Sequence, residues 1–141
     1  MAAAPASTPD LASAALVAIR SCTANKYAVS VAIVGDEGEL WMVMRGEGSA
    51  PHTAEAAQRK AYTALTFRRP TEAIVALIAK SPDAAGLEHL DHTLMVGGGL
   101  PIMRGGVVIG GVGVSGATGP GEDEKCAQIA VNALMAKGDG K

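Results

Sequence analysis

Three histidines, a cluster of cations and a few carboxylates are the groups through which this chain can do chemistry. His52 stands where a glycine-containing loop, Gly46 to Pro51, meets an alanine-rich segment. A neutral imidazole on such a pocket rim can ligate a metal or a haem iron. The plain alternative is a solvent-exposed loop histidine. His89 and His92 lie three apart and make a conceivable metal pair, but no further His or Cys lies nearby in sequence to complete a set. Arg45, Arg59, Lys60, Arg68 and Arg69 gather around the alanine-rich segment. Two of them can hold the carboxylates of a small acid or a porphyrin. They cannot all serve one ligand, because neighbours such as Arg59 and Lys60 diverge by about 100° around a helix. Solvated surface charge is the default for each.

Other chemistries lack their motifs. Ser115, in GVGVSGA, has no Gly-x-Ser-x-Gly elbow around it. The glycine-rich stretch Gly97 to Ala117 continues a strand where a dinucleotide fingerprint should turn into a helix, and no GxxxxGK[ST] loop is present. Neither a triad nor a carboxylate pair is assembled. Cys22 and Cys126 match no metal or redox spacing and read as small buried hydrophobes. The net charge of −2 disfavours nucleic acid, and 3% aromatic residues are too few for a base-stacking platform. No apolar run approaches the ~20 residues of a membrane span.

The elements that must position these groups follow from pattern. At 141 residues and 48% apolar, the chain reads as one domain with a core of Ala, Val, Leu, Ile and Met. Residues 1–8 are expected to be a flexible start, 9–137 the domain and 138–141 a flexible tail. Thr8 or Asp10 can cap a helix beginning near Pro9, with Leu11, Ala14, Ala15, Ala18, Ile19 and Cys22 on its buried side, Leu16 and Val17 broadening it, and its end near Asn25. Tyr27 to Val34 and Glu39 to Arg45 form a hairpin across Gly35-Asp36-Glu37-Gly38. Thr53 to Phe67 is a long helix whose alanines admit a close neighbour. Thr71 caps a second helix to Lys80, and Ala84 to His92 is a helical turn or an irregular link. Thr93 to Val96 is a short strand. Leu100 to Met103 and Val107 to Ser115 pair across Arg104-Gly105-Gly106. Glu122, Asp123 and Glu124 open a last helix with Cys126, Ile129, Ala130, Ala133 and Leu134 inside. This order predicts an α+β domain with a mostly antiparallel sheet and helices on one face. Gly110, Gly111 and Gly113 are read as flattening a strand against a helix or a neighbouring subunit.

Three blocks resemble the GlcG/HbpS-like family of haem-degrading domain proteins, which includes the C-terminal domain of PduO-type proteins. They are VSVAIVGDEGELWMVMRGEG from Val29, HTAEAAQRKAYTALTFRRPT from His52, and GGGLPIMRGGVVIGGVGVSGATGPGEDEKCA from Gly97. The second resembles the family's Ala-x-x-Lys-Ala-x-Thr-Ala-x-x-Phe block through Ala57, Lys60, Ala61, Thr63, Ala64 and Phe67. Two departures fall at the pocket mouth: Gly46-Glu47-Gly48-Ser49-Ala50 replaces a common Asp-Gly-Ala loop, and His52 stands near where a serine is common. The resemblance implies an α+β fold with a five-stranded antiparallel sheet flanked by helices, assembly from dimers to octamers, and in some members binding of haem or a related tetrapyrrole.

The leading expectation is a small-molecule binding homo-oligomer that takes haem. His52 is then the iron ligand, Arg45 and Lys60 are partners of the propionates, and Thr71 is a polar contact. One alternative is an enzyme acting on a small acid or carbonyl metabolite, with Arg45 or Lys60 as anchor and His52 or Glu55 moving a proton. Another is a structural oligomer without ligand. The expected compartment is cytoplasmic, or, for a mature form without its signal peptide, secreted or periplasmic.

Overall fold

A computed structural model describes residues 3–139. Its layering follows from strand β1 (Ser30–Gly35), which is buried at every position. A strand buried on both faces needs cover on both. Strand β2 (Leu40–Arg45) pairs with it antiparallel through the Asp36–Gly38 turn. On its other side β1 pairs antiparallel with β4 (Val107–Ser115), which pairs in turn with β3 (Gly99–Arg104). The result is a four-stranded antiparallel sheet of order β2-β1-β4-β3. The β3–β4 hairpin closes through Gly105 and Gly106, both at positive φ, as a two-residue turn of this hand requires.

Two differences from expectation concern this sheet. The fifth strand, Thr93 to Val96, does not form. Its polar groups are tied elsewhere instead: Thr93 Oγ1 donates to the nearby Leu90 carbonyl at 2.7 Å, and the Leu94 N–H donates to Thr63 Oγ1 on the helix Thr53–Phe67 at 2.9 Å. Helices also cover both faces rather than one. Helices α1 (Thr8–Ala24) and α4 (Glu122–Asp139) pack on the face that carries Val31, Ile33, Ile102, Val112 and Val114. Helix α2 (Thr53–Phe67) lies on the opposite face, and α3 (Thr71–Lys80) follows it. A 3-10 helix, Pro82–His89, then leads back toward β3.

The two faces are built differently. Under α1 and α4 the sheet offers branched side chains. Under α2 it offers Gly111 and Gly113, whose absent Cβ atoms would collide with the backbone of Ala61 and Ala57. These glycines therefore let sheet and helix touch backbone to backbone, and Ala57, Ala61 and Ala64 are fully buried against them. That is the role expected of Gly111 and Gly113, with a helix as the neighbour.

The six positions expected on the inner side of α1 are all buried, whereas Leu16 and Val17 are exposed. Its cap is Ser7, whose hydroxyl accepts the Asp10 N–H at 3.2 Å, so the helix starts at Thr8, one residue earlier than a Thr8 cap and three earlier than an Asp10 cap allow. Of the ends expected to be flexible, Pro5 is buried and Ser7 is this cap, while residues 1–2 and 140–141 lie outside the described residues. Cys22 and Cys126 are buried as expected, and they form a disulfide between α1 and α4.

Candidate functional site

A cleft of about 550 Å³ opens at the end of the sheet where β1 begins and β4 ends. Lys26, Tyr27 and Ala28, which leave α1, form one wall. The loop before α2 supplies Gly48, Ala50 and His52. Val96 and the chain from Ser115 to Thr118 close the remaining sides, with Lys60 and Asp123 at the bottom.

His52 is the last residue before α2. Its carbonyl accepts the Ala56 N–H at 3.0 Å, but its imidazole makes no capping bond and is exposed at the rim. The loop that presents it is cemented from below. Arg45 Nη2 donates to the Ser49 carbonyl at 2.8 Å, Ser30 and Thr53 hydroxyls bond at 2.9 Å, and Thr53 Oγ1 donates to the Ala50 carbonyl at 2.7 Å. Arg45 thus holds the loop and does not line the cleft.

Lys60 projects from the alanine face of α2, with its side chain only 3% exposed. Its Nζ donates to Asp123 Oδ2 at 2.9 Å and to the Val114 carbonyl at 3.0 Å. The other carboxylate oxygen, Asp123 Oδ1, accepts the Ala117 N–H at 2.8 Å. One carboxylate in the first turn of α4 therefore joins α2 to the loop after β4, and Lys60 itself ties in the end of β4. The positive charge of Lys60 is already matched.

The remaining candidates lie elsewhere. Thr71 is fully buried, and its hydroxyl accepts the Gly99 N–H at 2.9 Å, fastening α3 to β3. Glu55 pairs loosely with Arg59 at 3.7 Å in a separate depression lined also by Gln58, Tyr62 and His92. There His92, at φ 67°, sets its ring edge-on to Tyr62 at 5.9 Å. His89 is exposed on the 3-10 helix. Among the described residues no three His, Cys, Asp or Glu side chains gather to hold a metal ion. A smaller cavity of about 340 Å³ adjoins the cleft beyond Val96 and Asp123. Glu72 and Glu124 line it, and burial together with the Glu72 charge pushes the Glu124 carboxyl above its usual value.

The cleft thus brings together His52 and Lys60 and leaves out Arg45, Thr71 and Glu55. Asp123 is the site residue that sequence reasoning missed. Its signal was present: Lys60 shares one helical face with Ala57, Ala61 and Ala64, and a lysine on a buried stripe requires a carboxylate.

A helix-flanked antiparallel α+β domain of this topology is of the HbpS-like type. The chain belongs to that family: the family model described as haem degrading protein HbpS-like matches residues 7–132. Its sequence is similar to protein GlcG of Escherichia coli strain K12, 35% identical over 91 residues, a stretch covering 64% of this chain and 66% of GlcG. The match therefore spans just under two thirds of that relative. Its structure is similar to a double mutant of Streptomyces reticuli HbpS, with a TM-score of 0.84 and 30% identity over 92% of this chain and 86% of that one. It is also similar to PduOC in a haem complex, with a TM-score of 0.81 and 30% identity over 91% and 94% of the two chains. No described helix is long and apolar enough to cross a membrane.

Proposed function

We propose that the cleft binds haem or a related tetrapyrrole, with His52 as the iron ligand. The observation that carries this reading is the His52 imidazole, free of any capping bond on the rim of this cleft. The residues present fit such a group. The volume lies within the ~300–1,000 Å³ usual for ligand sites, and Tyr27, Ala28, Ala50 and Val96 supply apolar wall. Haem iron would supply the coordination position that an imidazole fills. Lys26, exposed on the same rim, is the cation best placed for a propionate, because Lys60 is held by Asp123 and Arg45 by Ser49. The PduOC haem complex supports the choice of ligand class. Self-association belongs to the same reading: the outer strands β2 and β3 expose Leu40, Trp41 and Met103. The Cys22–Cys126 disulfide favours the exported alternative over the cytoplasmic one, since such bonds persist in oxidising compartments.

Titration with hemin tests the reading. The protein should develop a Soret band with 1:1 stoichiometry per chain, and His52→Ala should weaken binding about tenfold or more, equivalent to about 1.4 kcal/mol. A flat titration of the wild-type protein sinks it.

A further inference from the structure

Cys22 and Cys126 are 104 residues apart in the chain, and their Cα atoms stand 6.1 Å apart. Both are buried, at 3% and 2% exposure. Their position behind the cleft is what carries an inference. Cys22 lies in the last turn of α1, and its carbonyl accepts two N–H groups, from Asn25 at 3.1 Å and from Tyr27 at 2.9 Å. This bonding folds the chain through Lys26, at φ 69°, and delivers Lys26, Tyr27 and Ala28 to one wall of the cleft. Cys126 lies one helical turn after Asp123, which holds both Lys60 Nζ and the Ala117 N–H on the opposite side. The two walls meet where Gly116, at φ 127°, packs against Val29, an added Cβ falling 3.0 Å from its Cα. The disulfide therefore ties one wall to the other across a few residues on each side.

The rest of the α1–α4 contact does not depend on it. Ala14, Ala15 and Ala18 of α1 and Ala127 and Ala130 of α4 are buried in the same core. Loss of the S–S bond should thus loosen the ends that face the cleft before it loosens the domain.

We propose that the Cys22–Cys126 disulfide controls the cleft: the oxidised protein binds its ligand, and the dithiol form binds weakly, so that occupancy follows the thiol–disulfide state. This rests on the cleft being the tetrapyrrole site. The switching reaction is exchange with a small dithiol. One reductant thiolate attacks a cysteine sulfur, the S–S bond breaks and the other cysteine leaves as thiolate. The second reductant thiol then resolves the mixed disulfide. Two electrons and two protons pass to the protein, leaving two cysteine thiols and one oxidised dithiol. Because both sulfurs are buried, attack requires the last turn of α1 to open, and that turn is the one bordering the cleft.

Three samples test this: oxidised wild type, wild type reduced with dithiothreitol and freed of reductant under argon, and C22A/C126A. Each is titrated with hemin, and each ligand-free sample is followed by amide hydrogen exchange. The reduced and substituted proteins should bind hemin at least tenfold more weakly while keeping the far-ultraviolet dichroism of the oxidised form. The N–H groups of Tyr27 and Ala117 should exchange at least tenfold faster, with Ile33 and Val112 in the sheet unchanged. Equal affinity in the reduced protein overturns the proposal, and so does unchanged exchange at Tyr27 and Ala117. If C22A/C126A does not fold, the reduced wild type decides. If the oxidised wild type takes up no hemin, the ligand reading fails, while the exchange data still decide whether the disulfide holds the walls.

Discussion

Substitution of Asp123 by alanine should be among the most damaging single changes near the cleft, and its cost can be worked from three bonds. The carboxylate accepts from Lys60 Nζ at 2.9 Å and from the Ala117 N–H at 2.8 Å, and the lysine has one other partner, the Val114 carbonyl at 3.0 Å. The side chains are 3% and 15% exposed, so this is a buried ion pair, not a screened surface one. Asp123→Ala leaves an ammonium inside the domain with a single neutral acceptor. Breaking a buried pair from one side costs about 3–5 kcal/mol. The orphaned Ala117 N–H would add about 1–3 kcal/mol if dry, and less here because the cleft admits water. A loss of about 4 kcal/mol is a large share of the ~5–15 kcal/mol that stabilises a domain. Removing both charges in K60M/D123A should cost less than D123A alone, because methionine needs no partner in the alanine-lined slot. Urea unfolding followed by far-ultraviolet dichroism gives all four corners of the cycle. If D123A falls within about 1 kcal/mol of wild type, or the two substitutions prove additive, the pair is not the clasp described.

Two further outcomes follow from the same structure. Gly113→Ala places a Cβ against the Ala57 carbonyl and 2.6 Å from the Ala61 nitrogen, so α2 must lift; overpacking of this kind costs about 1–3 kcal/mol or more. Gly86→Ala meets nothing within 4 Å and should change stability by no more than about 1 kcal/mol, in the stabilising direction; thermal melts that rank the two alike would refute the backbone contact. Glu124 provides a pH test. Burial, then the Glu72 charge, raise its carboxyl, and its Oε1 is enclosed without a hydrogen-bond partner. The folded state therefore holds the proton more tightly than the unfolded one, and stability is lost as pH rises from the unfolded value of about 4.3 through the raised folded one. Glu124→Gln should be the more stable protein at pH 7 and no different below about pH 4; chemical denaturation at both values checks the crossing.

How far the fold could be read in advance depended on which signals are local. The inner face of α1 needs only the 3.6-residue period, and its six positions are the buried ones. The β3–β4 hairpin needs only Gly105-Gly106 between two largely apolar runs. Whether Thr93 to Val96 joins the sheet depends instead on a free edge in reach and on competition for its N–H groups, and Thr63, thirty-one residues away, wins the Leu94 N–H. The layering misled for a related reason. In β1, Ser30 and Ala32 alternate with Val31 and Ile33, a pattern that resembles one wet face and one dry one. The second face carries small residues because α2 lies against it, with Gly111 and Gly113 alongside. Small size there marks close contact, and only a polar alternation would have marked water.

The site was legible in part for the same physical reason. His52 can be placed from its loop and helix alone, since exposure at a helix start needs no partner. Arg45, Lys60 and Thr71 look in the sequence like groups open to a ligand, yet each is already bonded: Arg45 to the carbonyl of Ser49 in its own loop, and Lys60 and Thr71 to Asp123 and the Gly99 N–H, which sequence spacing does not bring near. Asp123 is 63 residues from Lys60, and Cys126 is 104 from Cys22. No local period carries such pairings. What local reading can detect is the demand, a lysine on an alanine stripe or a cysteine on each of two buried helical faces. Here both demands are met within one turn of the same helix, so the first turns of α4 supply the partner of α2 through Asp123 and of α1 through Cys126. The glycine-rich strand defines the fold, but the shape of the cleft depends on that one helix end, and substitutions there should disturb binding further than their distance from His52 suggests.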